Sequence, residues 1–377
     1  MRFSWRNPGV ARVSRVTTLE LFFDLVFVFT LTQLTQLLEH DLSLSGVGRT
    51  FLLFVVLWWM YGAYAWLTNH VSPSRTSQRL LLLAGMAGFM VIAVAIPDAF
   101  GASGVVFGLG YLAVTGVHLA LFSQSDSLAG VIRLAPFNLL SALLILGAGF
   151  VDGPFVYVLW VSAFLVQAVT PYLGVAPQFE INAEHFVERH GLLMIVALGE
   201  TVVAIGMGVD VERVTAGVAG VVVLALALPA AMWWAYFSGD DVAAEHTLAA
   251  ADPAQRGVLA IRGYFFAHIP MLLGIVAAAA GIHEAIAHPD EPLTIGAALA
   301  LAVGVALFFA GDAQFRRVLK VGAATGRFVT ALAVLVTIPV GTLATATFQL
   351  TALVVVTAGA LAAEQRRGTG RPVAHDV

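Results

Sequence analysis

Six residues have types and surroundings that could support chemistry: Glu20, Asp24, Glu184, Glu188, Glu200 and His268. Glu20 and Asp24 stand four apart in "TLELFFDLVFVF", an otherwise apolar stretch, so on a helix they share one face. Glu184 and Glu188 repeat that spacing in "AEHFVERH". Glu200 in "VALGETVVAIG" and His268 in "GYFFAHIPMLLGIV" are isolated within long apolar runs. A carboxylate in a nonpolar medium can bind a proton or a cation, and a histidine can relay protons because it changes charge near neutral pH. Pro270, two residues after His268, removes a helical hydrogen bond and frees a backbone carbonyl at a bend. His185 and His190 flank Glu188 but lie five apart, about 140° around a helix, so they do not form a metal pair like residues four apart. No metal site and no cofactor is expected. With no cysteine in the chain, disulfides, thiolate metal sites and cysteine nucleophiles are excluded.

The medium follows from composition. The 377 residues are 59% hydrophobic and only 11% charged, with a mean hydropathy of +0.90. Soluble domains carry roughly a quarter charged residues, so this chain could not cover a water-facing surface of its size. Apolar runs of membrane-spanning length recur throughout. The expected fold is an all-α integral membrane protein with about twelve spans, at 18–38, 47–69, 79–97, 103–122, 129–150, 154–174, 190–209, 214–237, 257–280, 293–311, 326–344 and 346–363. The basic segment before span one lacks a small-residue cleavage site and precedes a run long enough to span, so it reads as a retained first helix.

Arginine and lysine fix the orientation. With twelve spans and a cytoplasmic N-terminus, seventeen of the 19 basic residues fall on the cytoplasmic side or in the first turns entered from it; Arg49 and Arg213 are the exceptions. The opposite connections carry acids instead, in "EHDLS", "IPDAFG", "FVDGP" and "HPDEP". Both termini are therefore expected in the cytoplasm. Aligning "ELFFDLVFVFTLTQLTQ" with "EHFVERHGLLMIVALGE" matches Glu20 with Glu184, Phe22 with Phe186 and Asp24 with Glu188. These are the openings of spans one and seven, as two parallel six-helix repeats would place them. The expected organisation is a basic segment (1–17), a first membrane half (18–174), an amphipathic cytoplasmic linker (175–189), a second half (190–363) and a tail (364–377).

Depth separates the candidates. An acid or base at the centre of a span costs about 2.5–3.5 kcal/mol on insertion scales, so such residues face a protein interior or a wet cavity. Glu200 sits about eleven residues into span seven, roughly 16 Å along the axis, too deep for its short side chain to reach water. Arg15, Arg133 and Arg262 are the expected charge partners of the acids near the cytoplasmic entrance. Arg133 and Asn138 flank Pro136 in span five, while His118 and Gln167 are expected to make single interhelical hydrogen bonds. The aromatic groups "WWMYGAYAW" and "MWWAYF" are expected in helix packing or at interfaces.

"VTTLELFFDLVFVFTLTQLTQLL", "AEHFVERHGLLMIVALGETVVAIG", "MWWAYF" and "FFAHIPMLLGIVAAAAG" resemble the bacterial low-temperature-requirement protein A (LtrA) family, in order over most of the chain. The resemblance implies a multi-pass protein of the bacterial cytoplasmic membrane, named for a requirement in cold growth, and implies no particular reaction. "ELFFD" also resembles the F-S-D motif of the endolysosomal potassium channels, with Phe23 in place of the serine and "HFVER" at the second copy.

The chain carries no phosphate-binding loop and no protease or hydrolase motif. A proton- or cation-coupled secondary carrier of a small solute or ion is the leading expectation. A cation channel is the alternative, as is a membrane enzyme or sensor acting on lipids. The expected partners are the bilayer and that solute or ion, with no nucleic acid; a homo-oligomer stays open.

Overall fold

The computed structural model describes residues 16–70, 73, 75–124, 128–173, 181–209 and 215–368. Those residues are helical almost throughout, with no strand among them. The helices are α1 (Thr18–His40), α2 (Leu44–His70), α3 (Thr76–Ala95), α4 (Gly104–Phe122), α5 (Leu128–Ala148), α6 (Pro154–Val169), α7 (Ala183–Gly208) and α8 (Ala216–Phe237). After these come α9 (Asp240–Ala250), α10 (Pro253–Leu259), α11 (Ala267–Ala287), α12 (Ile295–Leu319), α13 (Ala324–Leu335), α14 (Ile338–Leu343) and α15 (Ala346–Gly368). Ten apolar stretches are long enough to cross a membrane, and two shorter apolar helices, within α5 and α6, coincide with the fifth and sixth expected spans. The outward surface is apolar at positions such as Phe150, Phe155, Leu332 and Val336, each at least two-thirds exposed (70%, 70%, 69% and 74%).

Several boundaries differ from those expected, and two of the shifts place charges that matter for the site. Asn182 caps α7, its side chain accepting the His185 N–H, so 183–189 form the first two turns of the helix that carries Glu200. Glu200 is thereby the eighteenth residue of a 26-residue helix. It lies about 7 Å beyond the helix midpoint. The segment from Asp312 to Leu319, expected as a loop, continues α12 until Lys320 takes a left-handed conformation (φ 58°). At α1, Thr17 and Glu20 form a reciprocal cap: the Thr17 hydroxyl accepts the Glu20 N–H, and Glu20 Oε2 accepts the Thr17 N–H at 2.8 Å.

The helices pack in two groups. In the first, α1 packs on α2 and α3, α3 on α4, α4 on α5 and α5 on α6; α4 and α6 return onto α2. In the second, α7 packs on α8 and α11, α11 on α12 and α12 on α13. Helices α13 and α14 then pack on α15, and α12 and α15 return onto α8. Helix α1 joins the groups by packing on α7 and α11.

A π-helical segment, Ala260–Phe266, leads into α11. In this wider register the partner of the Phe265 carbonyl would be the N–H five residues on, at Pro270, which has none. The carbonyl instead accepts the Trp58 indole N–H at 3.0 Å. The freed carbonyl expected from Pro270 therefore pins α2 to the second group.

Candidate functional site

Glu20 and Asp24 are fully buried where α1 meets α2 and α7. Their partners come from the turns that the sequence reading placed in the linker. Arg189 donates to Glu20 Oε1 at 3.3 Å and to Asp24 Oδ1 at 3.1 Å, and also to the Thr68 hydroxyl. His185 Nε2 lies 3.1 Å from Glu20 Oε1. The Tyr61 hydroxyl donates to Asp24 at 3.0 Å, and the guanidinium sits over the rings of Phe23 and Tyr61. Asn69 bridges the Asn182 backbone and the His185 ring. Counted from their caps, Glu20 and His185 are each the third residue of their helix, and Asp24 and Arg189 each the seventh. The pairing is thus acid against base at matching positions of α1 and α7.

The expected charge partners are not at this cluster. Arg133 and Arg262 are exposed and make no ion pair among the described residues, and Arg15 lies outside them. Glu184 and Glu188 are exposed on the outer face of α7, where Glu188 accepts the Val16 backbone N–H at 3.0 Å. Asp24 therefore meets an arginine and not Glu188. His118 makes the single interhelical hydrogen bond expected of it, with the Ala63 carbonyl, while Gln167 makes two, donating to the hydroxyls of Tyr111 and Ser141.

Glu200 occupies a separate place, 2% exposed, between α7 and α1. The Thr32 hydroxyl donates to its Oε2 at 2.7 Å, and its Oε1 has no partner among the described residues. Further along α1, half-buried Glu39 lies 3.7 Å from His283 of α11. Phe27 and Leu31, both fully buried, stand between this region and Asp24.

His268 lies in an aromatic box and is fully buried. Its Nε2 shares a 3.0 Å hydrogen bond with the Tyr236 hydroxyl of α8. Tyr264 stacks on its ring, and His190 of α7 packs edge-on at 5.4 Å. His190 is itself bonded to the Phe186 carbonyl at 2.8 Å, so His185 and His190 serve different partners.

A second ionic network escaped the sequence reading. Arg316 of α12 grips Asp240 of α9 with Nε and Nη2, and also pairs with Glu364 of α15. Arg327 of α13 lies 3.2 Å from Asp312 and 3.3 Å from Glu364, and donates to the Ala235 carbonyl at 3.3 Å. The signal for it in the sequence is the four-residue spacing of Asp312 and Arg316, one helix face, which hydropathy obscures by ending the apolar run at 311.

The family model described as bacterial low temperature requirement A protein (LtrA) matches residues 15–362. An uncharacterized protein of Rhizobium meliloti (strain 1021) is 32% identical over 315 residues, spanning 79% of this chain and 76% of that protein. All of the interactions above lie within the family match except those of Glu364.

Proposed function

We propose that this chain, which belongs to the bacterial low-temperature-requirement A family of multi-pass membrane proteins, is a secondary carrier whose coupling proton or cation binds at Glu200. One observation carries the reading. Among the described residues five acids are buried: Glu20, Asp24, Glu200, Asp240 and Asp312. Four of them face arginine, Glu20 and Asp24 through Arg189, Asp240 through Arg316, and Asp312 through Arg327. Glu200 faces none. An uncompensated carboxylate in a nonpolar interior is too costly to persist charged, so it must hold a proton or a bound cation. That charge is exchangeable, whereas an arginine is not. The arginine-neutralised acids serve as structural ties between helices.

The carrier is read as twelve spans in two parallel halves, with both termini cytoplasmic. Support comes from the matched packing order of α1–α6 and α7–α15, and from "WWMY" in α2 recurring as "WWAY" in α8. Further support comes from matched crossings: a Cβ on Gly110 would meet Gly88 O and Ile92 N, and one on Gly304 would meet Gly274 O and Ala278 N. Because the chain has no cysteine, single replacements test the orientation directly. Asp290→Cys is expected to react with an impermeant maleimide on intact cells, and Gln124→Cys only after permeabilisation. The reverse pattern would overturn the orientation.

For transport, protein in pyranine-loaded liposomes under a pH gradient is challenged with Na+, K+ and a panel of small solutes. At least one is expected to dissipate the gradient, and Glu200→Gln to abolish that response while eluting as a folded monodisperse protein. An unchanged response in Glu200→Gln removes the assigned role. Single-channel currents that ignore the pH gradient replace the carrier with a cation channel.

A further inference from the structure

Between the two helix groups lies a cavity of about 390 Å³, bounded by α2, α4 and α5 on one side and by α10 and the π-helical segment on the other. Its volume is within the range of small-molecule sites. Trp59, Trp66, Phe122 and Phe265 form aromatic walls, and no Asp, Glu, Lys or Arg lines it among the described residues. A charged occupant would be desolvated without a countercharge, so the lining selects a neutral one.

The polar groups at the cavity are few and oriented. Asn138 Oδ1 accepts the Trp59 indole N–H at 2.9 Å, which fixes the amide and leaves its NH2 without a partner among the described residues. His118 is 4% exposed; its Nε2 is engaged at 3.2 Å by the Ala63 carbonyl, and its Nδ1 has no partner among the described residues. With a carbonyl beside it, Nε2 carries the hydrogen and Nδ1 is an acceptor. Nδ1 is buried away from the cavity, so the cavity offers one oriented amide donor, that of Asn138, within aromatic walls.

We infer that this cavity binds a neutral, mostly apolar, ring-bearing molecule with a carbonyl or hydroxyl group that meets Asn138. The inference is independent of the carrier reading, because Glu200 is not in the lining. The occupant would press on Phe265, whose carbonyl pins Trp58, so binding would be felt at the π-helical turn preceding His268.

The test uses menadione, a neutral aromatic diketone, and tryptophan fluorescence of the full chain in phospholipid nanodiscs. Quenching is expected to saturate in the wild type. Gly257 lines the cavity, and a Cβ there would meet no atom within 4 Å, so Gly257→Leu should occupy the space without displacing backbone. That variant is expected to raise the half-saturating menadione concentration at least tenfold, with its melting temperature not lowered. Asn138→Ala is expected to raise it several-fold. Linear, partition-like quenching, or equal saturation in Gly257→Leu, overturns the inference. A cavity occupied by phospholipid chains would also overturn it; brominated-acyl lipid would then quench the wild type more than Gly257→Leu, and menadione would not relieve that quenching. Loss of proton flux in Glu200→Gln with menadione binding intact separates this site from the carrier reading.

Discussion

Arg189→Met is expected to destabilise the protein by about 3–5 kcal/mol, the usual cost of removing one partner from a buried ion pair. The side chain is 1% exposed and is the cation shared by Glu20 and Asp24, both at 0%. Methionine preserves much of the packing against Phe23 and Tyr61 but leaves both carboxylates without a cation of fixed charge, held only by hydroxyl, imidazole and one backbone N–H partner. The loss should therefore be recovered when the charges are removed together. Glu20→Gln/Asp24→Asn/Arg189→Met is expected to melt closer to the wild type than Arg189→Met alone, because replacing a whole buried charged set is far less costly than orphaning part of it. Thermal melts followed by size-exclusion chromatography in detergent measure both. An unchanged melting temperature in Arg189→Met, or a triple variant no more stable than the single one, would show that the cluster is not a tie between α1 and α7.

Why that partner was hidden in the sequence is a matter of one cap. The apolar run of span seven starts near His190, and hydropathy alone places the preceding "AEHFVER" in a linker. Asn182 is a favoured N-cap residue, and a helix starting behind it puts His185 and Arg189 at the third and seventh positions, level with Glu20 and Asp24. The alignment that matched Glu20 with Glu184 was off by that one residue, enough to swap the buried face of α7 for its exposed one. Glu200 was legible because a single acid in an apolar run survives any small shift of boundaries. So was the freed carbonyl near Pro270, although its capture by Trp58 depends on a π-register that periodicity does not reveal. The Asp312–Arg327 contact, between residues on successive helices, was not legible: a span ending at 311 leaves Asp312 as a solvated loop charge with no reason to meet Arg327 at the opening of the next span.

Gly304→Leu is expected to abolish recovery of folded protein, while Gly206→Leu leaves it nearly unchanged. Helices α11 and α12 cross backbone to backbone at Gly304: a Cβ there would sit against Ala278 N, 2.7 Å from Gly274 O and 2.9 Å from Ala278 Cα. None of these atoms can rotate away, so the helices themselves must part, and His268 on α11 and Asp312 on α12 move with them. A Cβ on exposed Gly206 of α7 would meet nothing within 4 Å. Alanine makes the comparison quantitative. Helix propensity alone favours alanine over glycine by about 1 kcal/mol at every helix-interior position. Gly206→Ala should show that gain as a raised melting temperature. Gly304→Ala should reverse it, because overpacking typically costs about 1–3 kcal/mol and here the obstacle is backbone. Gly110→Ala at the matching crossing should fall between: its nearest obstacle, at 2.9 Å, is the Ile92 side chain, and Gly88 O is 3.4 Å away. A side chain can yield by a few tenths of an ångström where a helix cannot. If all three alanine variants shifted the melting temperature in the same direction, propensity and not close approach would govern these glycines, and the two crossings would no longer support the proposed repeat.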